Sequence, residues 1–178
     1  ACKSAVGAYR QADTMTDRFA ALAALVHAEI RGADELLGDF EGRHASNPLV
    51  MDKWFSVQAQ VAGGETVERV ERLMSHDAFS LRNPNKVRSL IGAFGMFNPV
   101  AFHRADGAGH ALLGQVVRDL DRLNPQVAAR LVSVFNRWAD YDETRRASMY
   151  RELERIAGLK GLSPDVGEIV NAALKAGP

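Results

Sequence analysis

The sequence predicts an all-α fold of stacked antiparallel helix pairs, and three observations carry that prediction. Five of the six prolines directly follow Asn or Ser, apolar residues recur at helical spacing behind them, and no stretch shows a convincing period of two. An Asn or Ser at a helix N-cap accepts a hydrogen bond from a free N–H of the first turn. Proline at the next position has no N–H to leave unpaired, and its φ is already helical. Proline also pushes the residue before it out of the α region, where an N-cap belongs.

Taken in order, Met15, Phe19, Leu22, Val26 and Ile30 form the first stripe. Helix starts follow at Asn47-Pro48, Asn83-Pro84, Asn98-Pro99, Asn124-Pro125 and Ser163-Pro164. Between two of them, Leu112, Leu113, Val116, Val117, Leu120 and Leu123 mark a further helix. Behind Pro125, the residues Val127, Leu131, Val134, Phe135 and Trp138 read as one continuous stripe. Asp142 and Glu143 open a helix with the charge sign its dipole prefers, and Met149, Leu153 and Ile156 give it a buried face. Val166, Ile169, Val170, Ala173 and Leu174 do the same behind Pro164. Each large stripe residue contributes on the order of 1.5–3 kcal/mol when buried.

The third, sixth and seventh residues after proline are apolar in three segments: Met51, Trp54, Phe55; Val87, Leu90, Ile91; and Ala128, Leu131, Val132. An offset of 41 residues superposes Asn83-Pro84, Leu90, Ile91 and Phe94 on Asn124-Pro125, Leu131, Val132 and Phe135. That period is close to the roughly 40–47 residues of ARM and HEAT solenoids, whose repeats bury their apolar faces only by stacking into a superhelix. Similarity between any two amphipathic helices is the plainer alternative.

The 178 residues suit a single helical domain spanning 1–178, with 47% hydrophobic and 25% charged residues. Lys and Arg number 22 and Asp and Glu number 22, a formal charge of +0. Such a balance builds no positive field for nucleic acid or an anionic membrane, and neither is expected as a partner. The one cysteine, Cys2, forms no intramolecular disulfide, which favours a reducing compartment. No run reaches the roughly 18 apolar residues of a membrane span. The first residues lack the order of a signal peptide, and the first of them is not Met, so the chain is read as a fragment of a longer polypeptide.

No active site is assembled in the sequence. Among His27, His44, His76, His103 and His110, none sits in HExxH. His103 and His110 are seven apart, but Asp106-Gly107-Ala108-Gly109 between them reads as a turn, and no metal site is expected. Cys2 has no neighbouring base and is expected to be inert. Asp39 with Glu41, and Asp119 with Asp121, read as solvated faces rather than acid–base pairs. Arg88 and Arg130 differ in that each lies in the second turn behind an Asn-Pro cap, at the same end of neighbouring units. A guanidinium there suits fork-like binding of carboxylates and carbonyls, the plainer alternative being an exposed arginine in a surface ion pair.

The segments Met15-Thr-Asp-Arg-Phe-Ala-Ala-Leu, Leu49-Val-Met-Asp-Lys-Trp-Phe, Asn83-Pro-Asn-Lys-Val-Arg-Ser-Leu-Ile-Gly-Ala-Phe and Asn124-Pro-Gln-Val-Ala-Ala-Arg-Leu, with Asn98-Pro-Val-Ala-Phe-His103 and Asp106-Gly107, resemble successive landmarks of the C-terminal domain of bacterial aminopeptidase N. The resemblance implies a larger cytoplasmic enzyme that removes N-terminal residues from peptides. It implies a zinc held by HExxH and a later Glu in a separate catalytic domain, whose Gly-x-Met-Glu-Asn segment grips the substrate amine. Those motifs are missing here, so no cofactor is expected in this chain and no activity from it alone. The partners implied are the catalytic domain of the same polypeptide and peptide substrates. The family's C-terminal domain is a helical superhelix that encloses the active site, and Arg88 and Arg130 match arginines that face its interior and bind peptide backbone or C-terminal carboxylates. The competing expectation is an independent helical-repeat scaffold for protein–protein binding. An upstream reading frame containing HExxH separates the two.

Overall fold

The computed structural model describes residues 2–176, with side chains from residue 5 onward. Helices α1 (Cys2–Gln11), α2 (Met15–His27), α3 (Ala33–His44), α4 (Pro48–Ala59) and α5 (Thr66–Met74) fill the first half. Helix α6 (Pro84–Val87) widens into one π turn over Arg88–Gly92 and continues as α7 (Ala93–Phe97). The remainder comprises α8 (Pro99–Phe102), α9 (Ala108–Asp121), α10 (Pro125–Val132), α11 (Glu143–Ala157) and α12 (Pro164–Lys175). No strand occurs among the described residues.

All five Asn/Ser-Pro pairs start helices as their chemistry requires. Asn47 Oδ1 accepts from the Leu49 and Val50 amides, Asn83 from Asn85 and Lys86, Asn98 from Ala101, Asn124 from Val127, and Ser163 Oγ from Val166. Asp142 caps α11 in the same way. Asn98 does more: it is buried, and its Nδ2 donates to the carbonyls of Ala59 (2.9 Å) and Val61 (2.7 Å). The cap of α8 thereby also fastens the exit of α4.

The helices form two layers. Helices α2, α4, α6–α7, α10 and α12 neighbour one another in one layer, and α3, α5, α9 and α11 lie behind them. Successive helices alternate between layers, which is the stacked-pair arrangement anticipated from the period. The nine residues counted from the three prolines are all buried, as are Phe94 and Phe135. Two indoles tie the layers together: Trp54 Nε1 donates to the Leu37 carbonyl (2.9 Å) and Trp138 Nε1 to the Ala173 carbonyl (3.0 Å).

Three details depart from expectation. Helix α2 ends at His27, before Ile30, because Glu29 takes a left-handed φ of 49° and the Ile30 amide bonds back to the Leu25 carbonyl (3.1 Å). That is a Schellman-type stop made without glycine. Leu123 lies past the end of α9 and is 43% exposed, so it leaves the stripe. The stripe behind Pro125 is not one helix, since α10 stops at Val132 and 3₁₀ turns at Ser133–Phe135 and Trp138–Asp140 carry Phe135 and Trp138 inward.

Candidate functional site

Arg88 and Arg130 meet at one cavity of about 180 Å³, lined with Gln126 and Val127. Each is brought there by its cap. Asn83 fixes the start of α6, and Lys86 anchors it laterally: its Nζ donates to the Pro48 carbonyl (2.8 Å) and to Asp52 Oδ1 (2.6 Å). Arg88 therefore opens the π turn from a held base, and π turns recur where a helix re-aims side chains at functional sites. Its guanidinium donates to Asn85 Oδ1. Arg130 sits on α10, capped by Asn124. Neither arginine has a carboxylate partner among the described residues. Both are exposed, and both retain donors for an incoming carboxylate or carbonyl oxygen.

A larger cavity of about 400 Å³ opens in the same layer between α2 and α4, with Ser89 at its border. Phe19, Ala23 and Val57 form its apolar wall, and Lys53 stands over the Phe19 ring with Nζ 5.8 Å from the centroid. His27 Nε2 lies 3.1 Å from the Val57 carbonyl oxygen and closes the far side. Sequence reasoning missed this cavity, and its one available signal was that Lys53, like Arg130, is the fifth residue after a helix-starting proline.

The turn expected between His103 and His110 is present, with Gly107 at φ +76 and its amide bonded to the Arg104 carbonyl (2.9 Å). The turn folds α9 back on α8 and brings the two histidines together. His103 Nδ1 lies 3.0 Å from His110 Nε2, and His110 Nδ1 lies 3.0 Å from Ser148 Oγ. Tyr141 packs on His103, with ring centroids 4.2 Å apart and 30° between planes. Arg145 Nε donates to the His103 carbonyl (2.7 Å). Burial pushes the fully buried His110 down to about 4, helped by His103 and Arg145. Burial and Arg145 also lower His103, against the opposing charge of Asp142. The two rings are a neutral hydrogen-bonded pair whose facing nitrogens are already used. No group of three possible metal ligands occurs among the described residues.

Of the two acidic pairs, Asp39, Glu41 and Asp119 keep solvent-accessible positions, as expected. Asp39 accepts from Tyr9 OH (2.7 Å) and Arg43 (2.8 Å), and Glu41 accepts from His76 (2.8 Å). Asp119 accepts from Gln115, on the surface. Asp121 is not on a solvated face: it is 4% exposed and accepts from both the amide and the hydroxyl of Ser163, which fastens the start of α12 to the end of α9. The Cys2 side chain lies outside the described residues.

Residues 1–175 match a family described as a domain of unknown function, DUF3458_C, with ARM repeats. Aminopeptidase N of Escherichia coli K12 is 42% identical over 166 residues, which are 93% of this chain and 19% of that protein. Aminopeptidase N of Haemophilus influenzae is 41% identical over 167 residues, 94% of this chain and 19% of that protein. Among solved structures, Legionella pneumophila aminopeptidase A in complex with aspartic acid superposes with a TM-score of 0.92 at 34% identity, covering 98% of this chain and 20% of that one. The chain thus spans about a fifth of the length of the proteins it matches. With its paired helices, its repeat period and its capped starts, the chain belongs to the DUF3458_C ARM-repeat family and corresponds to the C-terminal helical region of bacterial aminopeptidase N.

Proposed function

We propose that this chain is the C-terminal part of a zinc-dependent aminopeptidase that removes N-terminal residues from peptides. In this reading it encloses the active site carried by the rest of the polypeptide, lines the passage to it, and is not catalytic alone. The observation that carries the reading is the convergence of Arg88 and Arg130, from two separately capped helices, on one cavity, with no carboxylate paired to either among the described residues. Two guanidinium forks on one wall suit the carbonyls and terminal carboxylate of an extended peptide. Enclosure would also exclude water and strengthen the electrostatics of the reacting centre.

The residues present do not fit a zinc site, since the His103–His110 pair spends its facing nitrogens on each other. In this proposal the metal belongs to the remainder of the polypeptide. Met96, Phe97 and Val100 are large apolar residues left exposed on adjoining turns, with Phe97 67% and Val100 61% accessible, and they offer a face for that remainder to cover. The lone Cys2 supports a cytoplasmic location. No helix among the described residues is long and apolar enough to cross a membrane.

The test is Arg130→Ala in the full-length polypeptide. Charge-assisted hydrogen bonds contribute about 1.5–3 kcal/mol, so kcat/KM for tripeptides and longer substrates should fall by about ten-fold or more. Cleavage of a small chromogenic aminoacyl amide should be nearly unchanged. Equal loss on both substrates counts against the reading.

A further inference from the structure

Positions counted from the helix-starting prolines are equivalent, because each proline fixes the first turn and the helix then advances by 100° per residue. The fifth residue after Pro48 is Lys53, after Pro84 it is Ser89, and after Pro125 it is Arg130. All three lie in one layer, and each lines a cavity between neighbouring helices. Arg88, one residue before Ser89, faces the Arg130 cavity, while Ser89 faces the Lys53 cavity. The π turn at Arg88–Gly92 thus divides two adjoining cavities, each with an exposed cation at its border.

Lys53 has no ion-pair partner among the described residues, whereas its neighbour Asp52 is committed to Lys86 at 2.6 Å. The charge offered to a ligand at this cavity is therefore the Lys53 ammonium. Beside it stand the apolar surfaces of Phe19, Ala23 and Val57 and the polar edges of Gln60 and Ser89. A volume of about 400 Å³ is ample for one large apolar side chain and the backbone that carries it. Packed helices lie about 8–10 Å apart. The cavity between α2 and α4 and the one between α6–α7 and α10 stand about two such spacings apart in the layer. An extended chain advances about 3.3–3.6 Å per residue, so the step between them is about five residues of peptide.

We propose that the cavity between α2 and α4 is a distal subsite for the C-terminal end of longer peptide substrates, with Lys53 binding the terminal carboxylate and Phe19, Ala23 and Val57 receiving the last side chain. The proposal rests on the peptide-channel reading and specifies its substrate class: peptides about five residues longer than those that reach only Arg88 and Arg130, ending in a free carboxylate and an apolar residue. Charge complementarity selects this occupant, because the open cation asks for an anion and the wall beside it for apolar surface.

The experiment measures KM for a ladder of synthetic peptides of about three to eight residues, each ending in Leu as free acid or as amide. The enzymes are the full-length polypeptide and its Lys53→Met, Lys53→Arg and Arg130→Ala variants. Lys53 is exposed, and melting temperatures matching the parent confirm that the variants are intact. K53M should raise KM about five-fold for the longer free acids, the equivalent of about 1 kcal/mol, and leave the shortest peptides unchanged. Amidation of the longer peptides should remove the difference between K53M and the parent, and K53R should restore most of it. An effect of K53M that is equal at all lengths, absent at all lengths or insensitive to amidation overturns the proposal. Arg130→Ala reports separately: length dependence there without any at Lys53 retains the channel and removes the distal subsite, while a uniform loss there refutes the channel itself.

Discussion

Substituting Asp52 with Ala should destabilise the chain far more than removing its partner. Lys86 is only 6% exposed at its side chain, is bonded to Asp52 at 2.6 Å and to the Pro48 carbonyl at 2.8 Å, and lies 5.7 Å above the Phe55 ring. Removing one member of a buried pair leaves an uncompensated charge at a cost of about 3–5 kcal/mol. Lys86 would keep one carbonyl and one aromatic face, which places Asp52→Ala near the lower end, about 3 kcal/mol. In Lys86→Met the residual carboxylate keeps 19% exposure and can rehydrate, so the cost falls to about 1 kcal/mol. The double variant carries no orphaned charge and should also cost about 1 kcal/mol, giving a coupling energy of about 3 kcal/mol. Urea titration of the four proteins measures this cycle, and for a chain of this size Asp52→Ala should also lower Tm by about 6–12 °C. Additive single effects, or an Asp52→Ala cost no larger than that of Lys86→Met, would refute the claim that a sequestered ammonium joins α4 to α6.

Lowered histidine pKa values predict acid sensitivity in a defined window. His110 titrates at about 4 in the fold against 6.5 unfolded, so the unfolded chain binds the extra proton first as pH falls from 6.5. Stability is then full above 6.5 and should be about 2 kcal/mol lower by pH 5, with His103 acting in the same direction. The carboxylates held low by arginine, Asp39, Asp106 and Asp142, titrate below that window. Urea midpoints for the parent and His110→Gln between pH 7 and 5 check this, and an equal slope in both would exclude the pair as the cause. Gly109→Ala should cost about 3 kcal/mol by overpacking, because its Cβ would stand 2.8 Å from the Ala101 carbonyl oxygen and closer to that of Phe102. Gly7→Ala, with no atom within 4 Å of the new methyl, should be neutral or stabilise by up to about 1 kcal/mol, and similar urea midpoints for the two alanine variants would contradict the contact geometry.

Local chemistry explains which parts of this architecture were readable. Asn-Pro and Ser-Pro act within four residues, so helix starts could be placed without knowledge of the surrounding fold. Apolar spacing behind them located the buried nine because each short helix has one inward face. Helix ends were less legible: Glu29 adopts φ 49° through contacts no dipeptide encodes, and the break after Val132 depends on how Phe135 and Trp138 reach the core. The same division holds for the site. Arg88 and Arg130 stood out by position, but their shared cavity arises from stacking. The Lys53 cavity needs α2 laid beside α4, and the burial of Asp121 needs α12 brought back to α9.

Because an Asn or Ser side chain and a preset proline already close the first turn of five helices, chain condensation can begin at several places rather than sweeping inward from one terminus. Damage to a single cap should therefore slow one pair of helices while its neighbours still form. The stack of helix pairs would then close in sections rather than all at once.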